Sequence, residues 1–185
     1  MSKYSKIEKV LVGFILFMVL ILCYCGVCAI ILFRGKKVPL QVNSCIDYYN
    51  VSQTIGTPEY SYKTPRKEFR NFVKSELGIW GYLYFESDKL PSDKAGLSLP
   101  IIRTIIIDDE LDNEYEYYAT IVHEFMHLKH FIINERFVCW QTFLYLWESE
   151  ELHDIGVWYA RHQVGGAYSN KYDISDLIVD YLTKK

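Results

Sequence analysis

From Val10 to Phe33 the chain runs for 24 residues without a charge, between Lys9 and Arg34. As a helix rising about 1.5 Å per residue, such a run crosses a hydrocarbon core of roughly 30 Å with some tilt. A secretory signal peptide fits poorly, because the run is too long and no A-x-A-like cleavage site follows it. Buried core helices are seldom this long without a polar interruption. The expectation is one N-terminal transmembrane helix over 10–33 behind a basic tail over 1–9, which makes membrane lipid a partner of residues 10–33. Orientation is not fixed by charge. Lys3, Lys6 and Lys9 precede the run and Arg34, Lys36 and Lys37 follow it, so the positive-inside rule returns a tie.

Charge divides along the same line. Residues 1–39 carry those six basic groups against Glu8, a net +5, and the remainder carries 14 basic against 22 acidic groups, a net −8. An acidic body behind a basic leader argues against nucleic acid as the partner and fits a segment held at a membrane surface. With half of its 185 residues apolar and 23% charged, the chain has the composition of one folded domain plus an appendage. Cys23, Cys25 and Cys28 fall in the apolar run, and only Cys45 and Cys139 belong to the body. Two cysteines make no disulfide framework, and two buried thiols are the simpler expectation. Asn50-Val51-Ser52 matches a glycosylation sequon, a pattern that often arises by accident.

Residues 34–63 read as a juxtamembrane linker and 64–185 as the folded body. Thr64-Pro65 starts a helix that runs to Leu77 and stops at Gly78. Trp80–Phe85 reads as a strand and 87–100 as a loop. Ile101–Ile107, rich in β-branched residues, is the clearest strand. Asp112 or Asn113 caps a long helix reaching Ile132. A second helical stretch runs from Glu135 to Gln163 with a break near Ser149, and Ser175 caps a last helix to Leu182. The order implies an α+β fold with a small mixed sheet packed on a helix pair.

Inside the long helix stands His123-Glu124-Phe125-Met126-His127, the H-E-x-x-H pattern. Residues four apart differ by about 40° around a helix, so both imidazoles share one face, a turn apart, and can reach a single Zn²⁺. Glu124 flanks that position and suits a general base for an activated water. Ile121, Phe125, Leu128 and Ile132 form one apolar stripe, and the two histidines point nearly opposite to it.

A catalytic zinc needs a third protein ligand and one open position. The next helical stretch offers Glu148, Glu150, Glu151 and His153, with Asp154 beyond them. An H-E-x-x-H helix followed some twenty residues later by E-x-x-x-D resembles the gluzincin zinc metallopeptidases. The matching residues are His123, Glu124, His127, Glu150 and Asp154, with Gly156 similar to a small residue often found there. The resemblance implies that Glu150 is the third zinc ligand and that Asp154 orients a ligand imidazole. It also implies that a sheet-edge strand before the zinc helix aligns the substrate backbone; Ile101–Ile107 would be that strand, against the alternative of a buried central one. The metzincin pattern is absent, since His130 and Ile133 occupy the positions that it requires to be Gly and His.

The resulting expectation is a membrane-anchored zinc peptidase acting on a peptide or protein substrate. His123, His127 and Glu150 would hold Zn²⁺ and Glu124 would be the base. The rival expectation is a non-enzymatic single-pass membrane protein whose body binds a partner, with zinc absent or structural. His162, Tyr168 and Tyr172 are outlying candidates for oxyanion donors. The aromatic set Phe137, Trp140, Phe143, Trp147, Trp158 and Tyr159 reads as core or as a surface on lipid headgroups.

Overall fold

In the computed structural model, residues 6–33, 55–58, 63–91, 94–164 and 174–184 are described. Among them lie six α-helices and a three-stranded mixed sheet, an α+β arrangement. The first helix, α1 (Lys6–Phe33), covers the whole apolar run. Its described side chains, those of residues 13–26, are all exposed. Among the described residues no helix is long and apolar enough to cross a membrane. The segment expected to span a membrane is helical, and the expected span is not supported among the described residues.

The body begins with α2 (Arg66–Glu76), amphipathic, with Phe69 and Val73 buried. Pro65 occupies its N-cap without a side-chain hydrogen bond, so the expected Thr64 cap is not formed. Instead the Thr64 carbonyl accepts from the Tyr118 hydroxyl at 2.5 Å, tying the start of α2 to the next long helix.

The sheet has the order β1-β3-β2, with β1 (Leu83–Ser87) parallel to β3 (Thr104–Asp108) and β2 (Gly96–Leu99) antiparallel to it. Both β1 and β3 begin three residues later than their sequences suggest. For β3 the reason is local. Pro100 starts a single 3₁₀ turn through Ile102, and Arg103 reverses the chain in the left-handed region at φ 50°. The Arg103 guanidinium fixes that reversal by donating to the carbonyls of Gly81 at 2.9 Å and Trp80 at 2.5 Å. β2 lies within the stretch read as loop. The Ile-rich strand is therefore central rather than an edge, with Ile105 and Ile107 fully buried, and β1 and β2 are the two edges.

The long helix α3 (Glu114–His130) begins at Asn113, whose side chain accepts from the backbone N–H of Tyr115 and Glu116. Its apolar stripe, Ile121, Phe125 and Leu128, continues to Ile132 and is buried as the periodicity requires. Phe131 ends the helix in the left-handed conformation at φ 51°. After a short turn α4 (Glu135–Glu148) starts, capped by the Asn134 side chain on the Phe137 N–H. The break expected near Ser149 separates it from α5 (His153–Val164), and α6 (Ser175–Thr183) closes the body. Phe137, Phe143, Trp158 and Tyr159 are core, while Trp140 and Trp147 are half-buried against it.

Candidate metal centre

Because α3 is helical throughout, His123 and His127 face each other across one turn. Their Nε2 atoms stand 3.2 Å apart. The Phe131–Asn134 turn folds α4 back along α3, which brings Glu135, the first residue of α4, to the same point. Its Oε2 lies 3.1 Å from His123 Nε2 and 3.4 Å from His127 Nε2. Three donor atoms thus converge, and among the described residues these three side chains form the one group able to share a metal ion.

The separations have a meaning of their own. Atoms bound at about 2.0–2.1 Å to a tetrahedral zinc stand about 3.3–3.4 Å from one another. The three distances here fall at or just below that value, so a cation could enter with shifts of a few tenths of an ångström. Two imidazoles and one carboxylate are also a donor set of the kind that holds catalytic zinc while leaving a fourth position open.

Both rings are polarised the same way. The Nδ1 of His127 bonds the Ile132 carbonyl at 2.7 Å, so Nδ1 carries a proton and Nε2 is the nitrogen that faces the site. The Nδ1 of His123 contacts the Cys139 sulfur at 4.0 Å. Burial disfavours the charged form of His123, but its contacts with Cys139 and Glu135 outweigh that and hold it well above the ordinary imidazole range. Burial likewise opposes ionisation of Glu135, yet hydrogen bonds from the two histidines hold its carboxyl far below the usual carboxylate range. Without a metal, the cluster keeps itself together as imidazolium and carboxylate.

Glu124 lies beside this cluster and is 4% exposed. Its Oε2 is buried with no hydrogen-bond partner. Burial pushes its carboxyl above the ordinary range, against the pull of His123 and His127. Such a carboxylate is poised to take up a proton. The edge strand β2 passes directly over it. A Cβ added at Gly96 would stand 2.8 Å from Glu124 Oε1 and 2.8 Å from Thr120 Cγ2, so only a glycine lets β2 approach this closely.

Of the expected site residues, the structure brings His123, His127 and Glu124 together, and it does not bring Glu150. That residue is exposed in the turn between α4 and α5, outside the donor cluster. The carboxylate at the imidazoles is Glu135, which the sequence reading passed over. The rivals of Glu150 are engaged or exposed. Glu148 accepts from the Tyr181 hydroxyl at 2.6 Å, His153 donates to the Trp147 carbonyl at 2.9 Å, and Glu151 is exposed. Asp154, expected to orient a ligand ring, is half-buried in the first turn of α5, and the Nδ1 partners of the two histidines are Ile132 and Cys139 instead. His162 bonds the Trp158 carbonyl at 3.2 Å and stacks on that indole. Tyr168, Tyr172, Cys45 and the Asn50 sequon lie outside the described residues.

No protein-family model matches the chain, and no curated protein or solved structure matches it either.

Proposed function

We propose that the chain is a zinc-dependent peptidase held at a membrane by α1. The observation that carries the reading is the convergence of His123 Nε2, His127 Nε2 and Glu135 Oε2 within 3.1–3.4 Å of one another, beside Glu124, whose buried Oε2 has no hydrogen-bond partner. The reading keeps the H-E-x-x-H half of the gluzincin resemblance and replaces its downstream ligand. His123, His127 and Glu135 would hold the ion. When bound, zinc supplies Lewis acidity, which makes water acidic near pH 7 and polarises a peptide carbonyl. Glu124 takes the proton of the attacking water at its free Oε2 and returns it to the departing amine. The edge strand β2 supports a peptide substrate: an extended chain added along an open strand edge receives backbone hydrogen bonds whatever its sequence, and Gly96 sets that edge against the base.

Membrane attachment is supported by the side chains of α1. Phe14, Leu16, Phe17, Leu20, Leu22 and Tyr24 are all exposed on a helix with no polar face. A helix that is apolar all round is stable in water only when something covers it, and lipid is the simplest cover.

The test is metal content and hydrolysis in the full chain solubilised in detergent. Wild type should carry about one zinc and cleave unstructured peptides. Glu124→Gln should keep the zinc and lose activity by about 10²-fold or more. Full activity in that variant refutes the base. A folded wild type that takes up no zinc refutes the enzyme and favours a partner-binding membrane protein.

A further inference from the structure

We infer that Cys139 is a positioning residue that fixes the ring of His123 for metal binding, a task performed for His127 by a backbone carbonyl. The inference rests on the metal reading above. Glu135 and Cys139 are four residues apart on α4, about 40° around the helix and one turn along it, so a single face presents both. That face grips His123 at both ring nitrogens: Glu135 Oε2 lies 3.1 Å from Nε2 and Cys139 Sγ lies 4.0 Å from Nδ1. The thiol is not a donor to the ion, because it stands on the Nδ1 side of the ring and outside the donor cluster.

What the sulfur does follows from the tautomer. An imidazole offers Nε2 to a metal only while its proton sits on Nδ1, and a group accepting from Nδ1 holds it there and sets the plane of the ring. For His127 that acceptor is the Ile132 oxygen at 2.7 Å. For His123 the group placed to accept is the Cys139 sulfur, 4.0 Å from Nδ1, larger and softer than an oxygen and so with longer hydrogen bonds. Cys139 is 6% exposed, so little water competes for the same N–H.

Three substitutions separate orientation from packing. Cys139→Val keeps an apolar side chain, slightly larger, and removes the acceptor. Cys139→Ser keeps an acceptor and reduces the volume, and Cys139→Ala removes both. Zinc affinity is measured by chelator competition on the full chain in detergent, with the thermal midpoint of each metal-free variant as the check that it is folded. Val and Ala should weaken zinc binding about tenfold or more, while Ser stays closer to wild type than either. The reverse order, with Val nearest to wild type and Ser furthest, identifies a packing role and overturns the inference. Unchanged affinity in Val overturns it too, and leaves the metal centre standing. A wild type that binds no zinc overturns both.

Discussion

Glu124 and Glu135 show how one side-chain type takes opposite characters at a single site. Glu135 receives hydrogen bonds from two imidazoles and stays ionised, whereas Glu124 is buried with an unpartnered oxygen and holds a proton more readily. The first is suited to ligation and the second to proton transfer. The assignment has a direct check in metal content. Glu135→Ala should lose zinc, with affinity falling at least tenfold, while Glu150→Ala should keep it, since Glu150 is exposed outside the donor cluster. Zinc retained in Glu135→Ala and lost in Glu150→Ala would return the ligand to the downstream turn. Either outcome is read from metal analysis of the two purified variants, with no assay of activity.

At the scale of elements, the hairpin of α3 and α4 builds the site and the packing of α5 against α4 supports it. Gly156 marks that contact. A Cβ there would stand 2.8–2.9 Å from the backbone of Leu146 and Trp147, atoms that cannot turn aside. Gly156→Ala should therefore destabilise the body by about 1–3 kcal/mol, the range for overpacking a core. A lowered denaturation midpoint would show it, and an unchanged one would mean that α5 slides freely. Much of this level was legible in the sequence. The apolar stripe of α3, the Asn113 cap and the break near Ser149 all stand where periodicity and capping residues put them. The strands were less legible. The Ile101–Ile107 run looks uniform, yet Pro100 and the hydrogen bonds of Arg103 turn its first three residues out of the ladder. Glu135 is not legible as a candidate donor from the family pattern, which sets the third carboxylate some twenty residues downstream. A local signal was present: helix, turn, Asn134 cap, then Glu135. A turn this short forces antiparallel helices and so places the first carboxylate of the second beside the last turns of the first.

For the whole molecule, the metal-free cluster ties stability to pH. The folded-state pKa of Glu135 lies below its unfolded value of about 4.3, so its contribution is complete above that value and is lost as pH falls towards the folded pKa. Metal-free wild type should thus exceed Glu135→Gln in thermal midpoint at pH 6, and the gap should narrow progressively below about pH 4. A gap that is constant with pH would mean that the ion pairs contribute nothing. Attachment is a property of the same scale. Full-length chain should stay with membranes after an alkaline wash, and a chain lacking residues 1–33 should be released. Release of the full-length chain would leave α1 to be covered by protein instead.

All three donors lie between His123 and Glu135, within thirteen consecutive residues. Closing so short a loop costs little chain entropy. On the proposed metal reading, a nascent polypeptide would carry all three donors once α3 and the first turn of α4 had left the ribosome. On that reading, loading need not wait for α5 and α6, and a bound ion would staple the hairpin around which the last two helices assemble.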